Sequence, residues 1–238
     1  MRRVPFALLS ALVPACGAHA TPPAQAPPIS QSLPVAAPRA QRPPPVLMHP
    51  AETDLGRRVS DASLGPGARA PLTQLSDIHG AQVALSTWIG HGPVAVVFYR
   101  GGWCPFCSVQ LHELAARSSD FTRRGVQLLA ISVDRPTAAA EAGARWQIPF
   151  PVLADPDLAA HEAFGVVHTA DEAEVARLRS LGIDLETASG RTHHRFAVPS
   201  IFLIDGAGLI RWAHSDPDYR TRPSAQQLLQ AIDQLSLQ

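Results

Sequence analysis

From about residue 65 to the C-terminus the sequence predicts one α/β domain built around a buried sheet containing parallel strands. Two observations predict it. Apolar runs of strand length alternate with helix-patterned segments, and the composition changes near residue 65, where a proline-rich leader gives way to that alternation. The chain has 238 residues, which suits one ordinary domain with extensions, and its 46% hydrophobic share supplies a core.

Residues 93–99 (PVAVVFY) are a continuous apolar run and read as a central strand. A helix follows over 104–118. Residues 126–134 (VQLLAISVD) form a second buried strand, 136–147 an Ala-rich helix, and 151–154 a short strand leading into helical sequence up to residue 164. Residues 170–181 are polar and read as a surface helix. Residues 200–204 (SIFLI) and 209–213 (LIRWA) form a hairpin, joined by the turn-forming run Asp205-Gly206-Ala207-Gly208. The last helix spans 224–235, with Ser224 as its N-cap.

The N-terminal region is expected to be an export leader. Arg2 and Arg3 precede a short apolar stretch within residues 1–20 that cannot span a bilayer permanently. Ala18-His19-Ala20 fits an ordinary signal cleavage site, whereas Val13-Pro14-Ala15-Cys16 resembles a bacterial lipobox with Cys16 as the lipidation candidate. The expected location is therefore periplasmic, either soluble or anchored to the membrane through Cys16. Residues 21–64 read as a Pro/Ala-rich linker, because so little apolar surface cannot offset the entropy of ordering. Zero net charge with 17% charged residues excludes a nucleic-acid footprint. Three cysteines are too few for a disulfide scaffold.

The chemistry is concentrated in residues 98–107 (FYRGGWCPFC). A buried strand ends, two glycines make a tight exit, and a helix begins at the cysteines. Pro105 suits the first helical position, which places Cys104 at the N-cap among unpaired N–H groups. A helix N-terminus favours an anion, so the Cys104 thiolate is expected to be stabilised and open to substrate. Cys107, one turn later, is placed to resolve a mixed disulfide or sulfenic acid on Cys104. A structural zinc site would need more ligands than this pair, and neither metal nor cofactor is expected.

The segment from residue 65 onward resembles the peroxiredoxin-like (AhpC/TSA, or redoxin) branch of the thioredoxin-like superfamily. The resemblance rests on residues 67–71 (GARAP), 75–80 (LSDIHG), 98–107, 150–156 (FPVLADP), Phe164-Gly165 and 198–205 (VPSIFLID), with 216–219 (DPDY) typical of one bacterial subgroup. It implies a thioredoxin-like fold with a central mixed sheet flanked by helices. It also implies an inserted segment over 167–197, before a cis-proline at Pro199 that faces the cysteines and exposes the Val198 backbone to substrate. Trp103, Pro105, Arg100, Val198 and Pro199 are the expected substrate-proximal residues. The expected activity is a thiol oxidoreductase cycling between dithiol and Cys104–Cys107 disulfide, reducing hydroperoxides in an antioxidant role and regenerated by a thioredoxin-like or other thiol reductant.

The resemblance admits two registers. Aligned on Phe98-Tyr99, the family's P-x-x-x-T/S-x-x-C pattern sets Arg100 at the proline, Cys104 at the Thr or Ser, and Cys107 at the peroxidatic cysteine. Aligned on the W-C-x-x-C of thioredoxins, Cys104 is the nucleophile and Cys107 resolves. The helix-terminus argument favours Cys104, and the family's distant arginine is not located by sequence. The rival readings are a thioredoxin-like oxidoreductase acting on protein disulfides and, less favoured, a Sco-type metal carrier. The latter family uses C-x-x-x-C rather than the C-x-x-C seen here.

Overall fold

The computed structural model of the chain describes residues 44–58 and 63–235. All lie in a compact unit running from Pro43 to Gln238. The leader, Cys16 and residues 21–43 of the expected linker lie outside the described residues.

The centre of the sheet is β3 (Val94–Phe98), every residue of which is buried. Its β-branched run suits a strand covered on both faces. β4 (Gln127–Ser132) and β5 (Val152–Ala154) extend the sheet on one side in parallel, and the hairpin β8 (Ser200–Ile204) and β9 (Ile210–Ser215) extends it on the other in antiparallel. At the far edge β1 (Gln74–Ser76) pairs antiparallel with β5 and with β2 (Gln82–Ala84). The resulting order, β2-β1-β5-β4-β3-β8-β9, is a mixed sheet of the thioredoxin-like class. In the β8–β9 turn, the Asp205 carboxylate accepts from the amides of Ala207 and Leu209, both at 2.9 Å.

Alternation along β3 sends its side chains into two cores. Ala95, Val97 and Tyr99 meet α1 (Pro105–Ala116), α2 (Ser118–Arg123), α3 (Pro136–Arg145) and the C-terminal helix Ala225–Leu235. Val94, Val96 and Phe98 meet Leu85, Ile89 and α4 (Ala159–Ala163). The expected insertion forms a ribbon and two helices: β6 (Val167–Thr169), α5 (Glu172–Ser180), α6 (Leu185–Ser189) and β7 (Arg195–Ala197). The C-terminal helix, α7, starts as its sequence predicts. Ser224 Oγ accepts from the Gln227 amide at 3.1 Å, and Gln227 Oε1 accepts from the Ser224 amide at 2.9 Å. This is a reciprocal cap.

Two expectations are corrected. Residues 44–58 belong to the compact unit although they fall within the expected 21–64 linker. Leu47 is buried, and Met48 forms a parallel bridge with Thr221. A Pro-rich segment is held here through its backbone, which composition does not display. The Val198–Pro199 bond is trans, because no described peptide bond is cis. Nor is the Val198 backbone free for a substrate. Its amide donates to Val166 O at 2.7 Å, and its carbonyl accepts from Ser200 Oγ, at the head of β8, at 2.8 Å.

Removing the reciprocal cap of α7 tests this description. Ser224→Ala is expected to lower unfolding free energy by about 1 kcal/mol, measured by urea denaturation.

Candidate active site

The site is built where β3 runs out. Tyr99 and Arg100 leave the strand, and the chain turns through Gly101 and Gly102 into α1. The turn requires glycine. Gly101 has φ +149°, and a Cβ there would lie 2.4 Å from Trp103 Nε1; one on Gly102 would lie 2.8 Å from Ala142 Cβ. The turn is held on both sides. The Gly102 amide donates to Asp134 Oδ2 at 2.7 Å, and Arg145 Nη2 donates to Gly102 O at 2.6 Å. Asp134 also accepts from Ser132 Oγ at 2.8 Å.

Cys104 is the N-cap of α1, Pro105 follows at the first helical position, and the Cys107 amide donates to Cys104 Sγ at 3.4 Å. The expectation of an open Cys104 sulfur is corrected. Cys104 is 1% exposed and Cys107 is fully buried, because both lie in the core beneath the sheet's end. The glycines serve the close passage of the turn rather than access to the sulfur.

An arginine that sequence reasoning did not locate completes the site. Arg222, 1% exposed, comes from the irregular segment between β9 and α7. Its Nη2 donates to Cys107 Sγ at 3.4 Å, its Nη1 to Gln110 Oε1 at 2.7 Å, and its Nε to Tyr219 O at 2.9 Å. The only local signal is its place in Arg222-Pro223-Ser224, ahead of the helix cap.

These surroundings separate the two thiols. Burial pushes Cys107 up. Against burial work the hydrogen bond from the Cys104 thiol, the Arg222 charge, the backbone N–H of Arg100 and the Arg222 N–H, and the net result is a thiol held down at about 5. At pH 7 Cys107 is therefore the thiolate of the pair. Cys104 moves well above the ordinary range, first through burial, then through its hydrogen bond to Cys107 and the negative charge there. Burial raises Asp134 to about 6 against its bonds from Gly102 and Ser132.

Arg100 lies in an aromatic box, from which its charge still acts against the upward shift of Cys104. Its guanidinium carbon lies 4.9, 4.6 and 4.5 Å from the ring centres of Trp103, Phe196 and Tyr219, and its Nη2 pairs with Glu174 at 3.5 Å. Arg100, Val198 and Pro199 are brought together on one cavity of about 340 Å³, with Val167, Phe196 and Tyr219. Trp103 instead lines a separate hollow with Asp134 and Arg145, and Pro105 is exposed at the helix start.

Fold and site together define a thioredoxin-fold protein with a buried, unequal pair of thiols. The sequence profile of the AhpC/TSA family matches residues 66–213, well over half of the chain, and the chain belongs to that family. Peroxiredoxin Bcp of Escherichia coli is 34% identical over 103 residues, covering 43% of this chain and 65% of the relative. The 1-Cys peroxiredoxin PER1 of Triticum aestivum is 25% identical over 143 residues, covering 56% of this chain and 64% of the relative. The chain thus spans just under two thirds of the length of these relatives. Among solved structures, reduced Prx3 of Vibrio vulnificus in complex with hydrogen peroxide shares the fold, with a TM-score of 0.58 at 17% identity over 71% of this chain and 96% of that one.

Two titrations check the electrostatics. Thiolate absorbance at 240 nm is expected to rise with a midpoint near 5, and Arg222→Gln is expected to move that midpoint up by about 1–3 units. Asp134, raised to about 6, stabilises the fold at pH below its ordinary range and loses that contribution as pH rises through 6. Asp134→Asn should therefore gain stability relative to the native chain as pH goes from 4 to 7, by up to about 3 kcal/mol, measured by denaturant unfolding at each pH.

Proposed function

We propose that the protein is a dithiol peroxidase in which Cys107 is the attacking thiolate and Cys104 the resolving thiol. The observation that carries this reading is the Arg222 guanidinium on the Cys107 sulfur; it favours the register on Phe98-Tyr99, in which the resemblance sets Cys104 at the family's Thr or Ser. This register reverses the sequence-based preference for Cys104. The Cys107 thiolate attacks the distal oxygen of a hydroperoxide. An S–O bond forms, the O–O bond breaks, and the alkoxide or hydroxide leaves and takes a proton from solvent. Cys107 is then a sulfenic acid. Cys104 sulfur attacks it, the S–S bond forms, and the departing hydroxide takes the Cys104 proton as water. An external thiol reductant, either a dithiol small enough to reach the buried pair or a protein dithiol acting once the first turn of α1 opens, returns the disulfide to two thiols and is itself oxidised to a disulfide.

Burial favours a small oxidant over a protein disulfide. Neither sulfur presents surface on which a folded partner could dock, whereas a hydroperoxide needs only a narrow approach. The cavity beside Arg100, walled by Val167, Phe196, Val198 and Pro199 with His168 and Glu174 on its polar side, adjoins the site through the Arg100 backbone and has room for the substituent of an organic hydroperoxide. The proposal includes export and an antioxidant role, supported by the leader residues and the thiol pair.

The cysteine variants test the assignment in stopped-flow oxidation by hydrogen peroxide and cumene hydroperoxide. Cys107→Ser is expected to abolish oxidation. Cys104→Ser is expected to retain a single turnover, leaving a sulfenic acid and no intramolecular disulfide. A full single turnover in Cys107→Ser would contradict the reading, as would rapid reduction of insulin disulfides by the native protein.

A further inference from the structure

Arg222 sits on a stretch without regular secondary structure, between the end of β9 and the cap of α7. Such a stretch does not by itself hold a side chain in place, because a buried backbone must find partners for its own N–H and C=O groups. The partners of Arg222 come from the other end of the chain. Its amide donates to Met48 O at 2.8 Å, and its carbonyl accepts from His49 Nδ1 at 2.9 Å. Two further hydrogen bonds hold the same strap. The Met48 amide donates to Arg220 O at 3.0 Å, and Gln227 Nε2 donates to Pro50 O at 2.8 Å. Leu47 is buried at its start. Both the strap and Arg222 lie outside the 66–213 span matched by the family profile.

We propose that residues 47–50 are a positioning strap for the active site: by bonding both backbone groups of Arg222, they hold its guanidinium against Cys107. The inference rests on the proposed role of Arg222. The strap touches neither sulfur, so it acts only through the arginine. Its side chains divide accordingly. Met48 contributes through its backbone, its side chain being 45% exposed, whereas His49 contributes through its ring.

The test uses the full chain with thiolate absorbance at 240 nm against pH. Met48→Pro removes the donor to Arg220 O, the bond that keeps Met48 O in register with the Arg222 amide, and is expected to raise the Cys107 midpoint by about 1 unit, a roughly fivefold smaller thiolate fraction at pH 5. Met48→Ala keeps that donor and is expected to leave the midpoint unchanged. Should Met48→Pro fail to fold, the histidine carries the test: His49→Ala raises the midpoint, and His49→Asn, which keeps a side-chain donor, restores it. Arg222→Gln is the reference. If it shifts the midpoint while the strap variants alter only the melting temperature, the strap is structural and the inference falls alone. If Arg222→Gln shifts nothing, the reading of the site falls with it.

Discussion

The pairing of a buried guanidinium with a buried sulfur is the constraint around which the rest is arranged. A thiolate with no exposure is tolerated only beside an opposite charge and hydrogen-bond donors. Cys107 has the Arg222 guanidinium, the Cys104 thiol and the Arg100 amide. The arginine is itself buried, and each of its three nitrogens donates once, to the Tyr219 carbonyl, to Gln110 and to the sulfur. Meeting both demands at one point requires the end of β3, the first turn of α1 and the segment after β9 to converge. The sheet order achieves this by placing β8 directly beside β3 and β9 next to β8 at the edge.

The turn before the cysteines serves the same constraint. Asp134 and Arg145 grip the two faces of Gly102, and the glycines let the chain pass against Ala142. α1 then begins where its N-cap sulfur and its third residue can share one proton. That sharing separates the thiols: the one facing Arg222 is held as an anion, and its neighbour keeps the proton. In the proposed register, Cys104 stands where the family's hydroxyl is expected, and a thiol there can both donate a hydrogen bond and form a bond to sulfur.

Much of this fold is legible in the sequence because it is written locally. The all-apolar run of β3, the proline that starts α1, the aspartate of the β8–β9 turn and the serine cap of α7 each act over a few residues. The site is less legible because its decisive contacts are remote. Arg222 lies 115 residues from Cys107 and carries no periodicity. Helix-terminus chemistry pointed to Cys104, since the N-cap position is visible in sequence and the burial of that sulfur is not. The docking of residues 47–50 runs largely through the backbone of Met48 and Pro50, with the His49 ring and the buried Leu47, and a proline-rich composition conceals it. At Pro199 the paired backbone of Val198 overrides an expectation drawn from resemblance.

The proposed chemistry turns on which sulfur meets the oxidant first. Trapping answers this directly in the native protein. The reduced chain is mixed with substoichiometric hydroperoxide in the presence of dimedone, and the adduct is located by tandem mass spectrometry. The account predicts the adduct on Cys107, competing with disulfide formation and increasing when the trap is more concentrated. An adduct on Cys104 would contradict it and restore the helix-cap sulfur as the attacker.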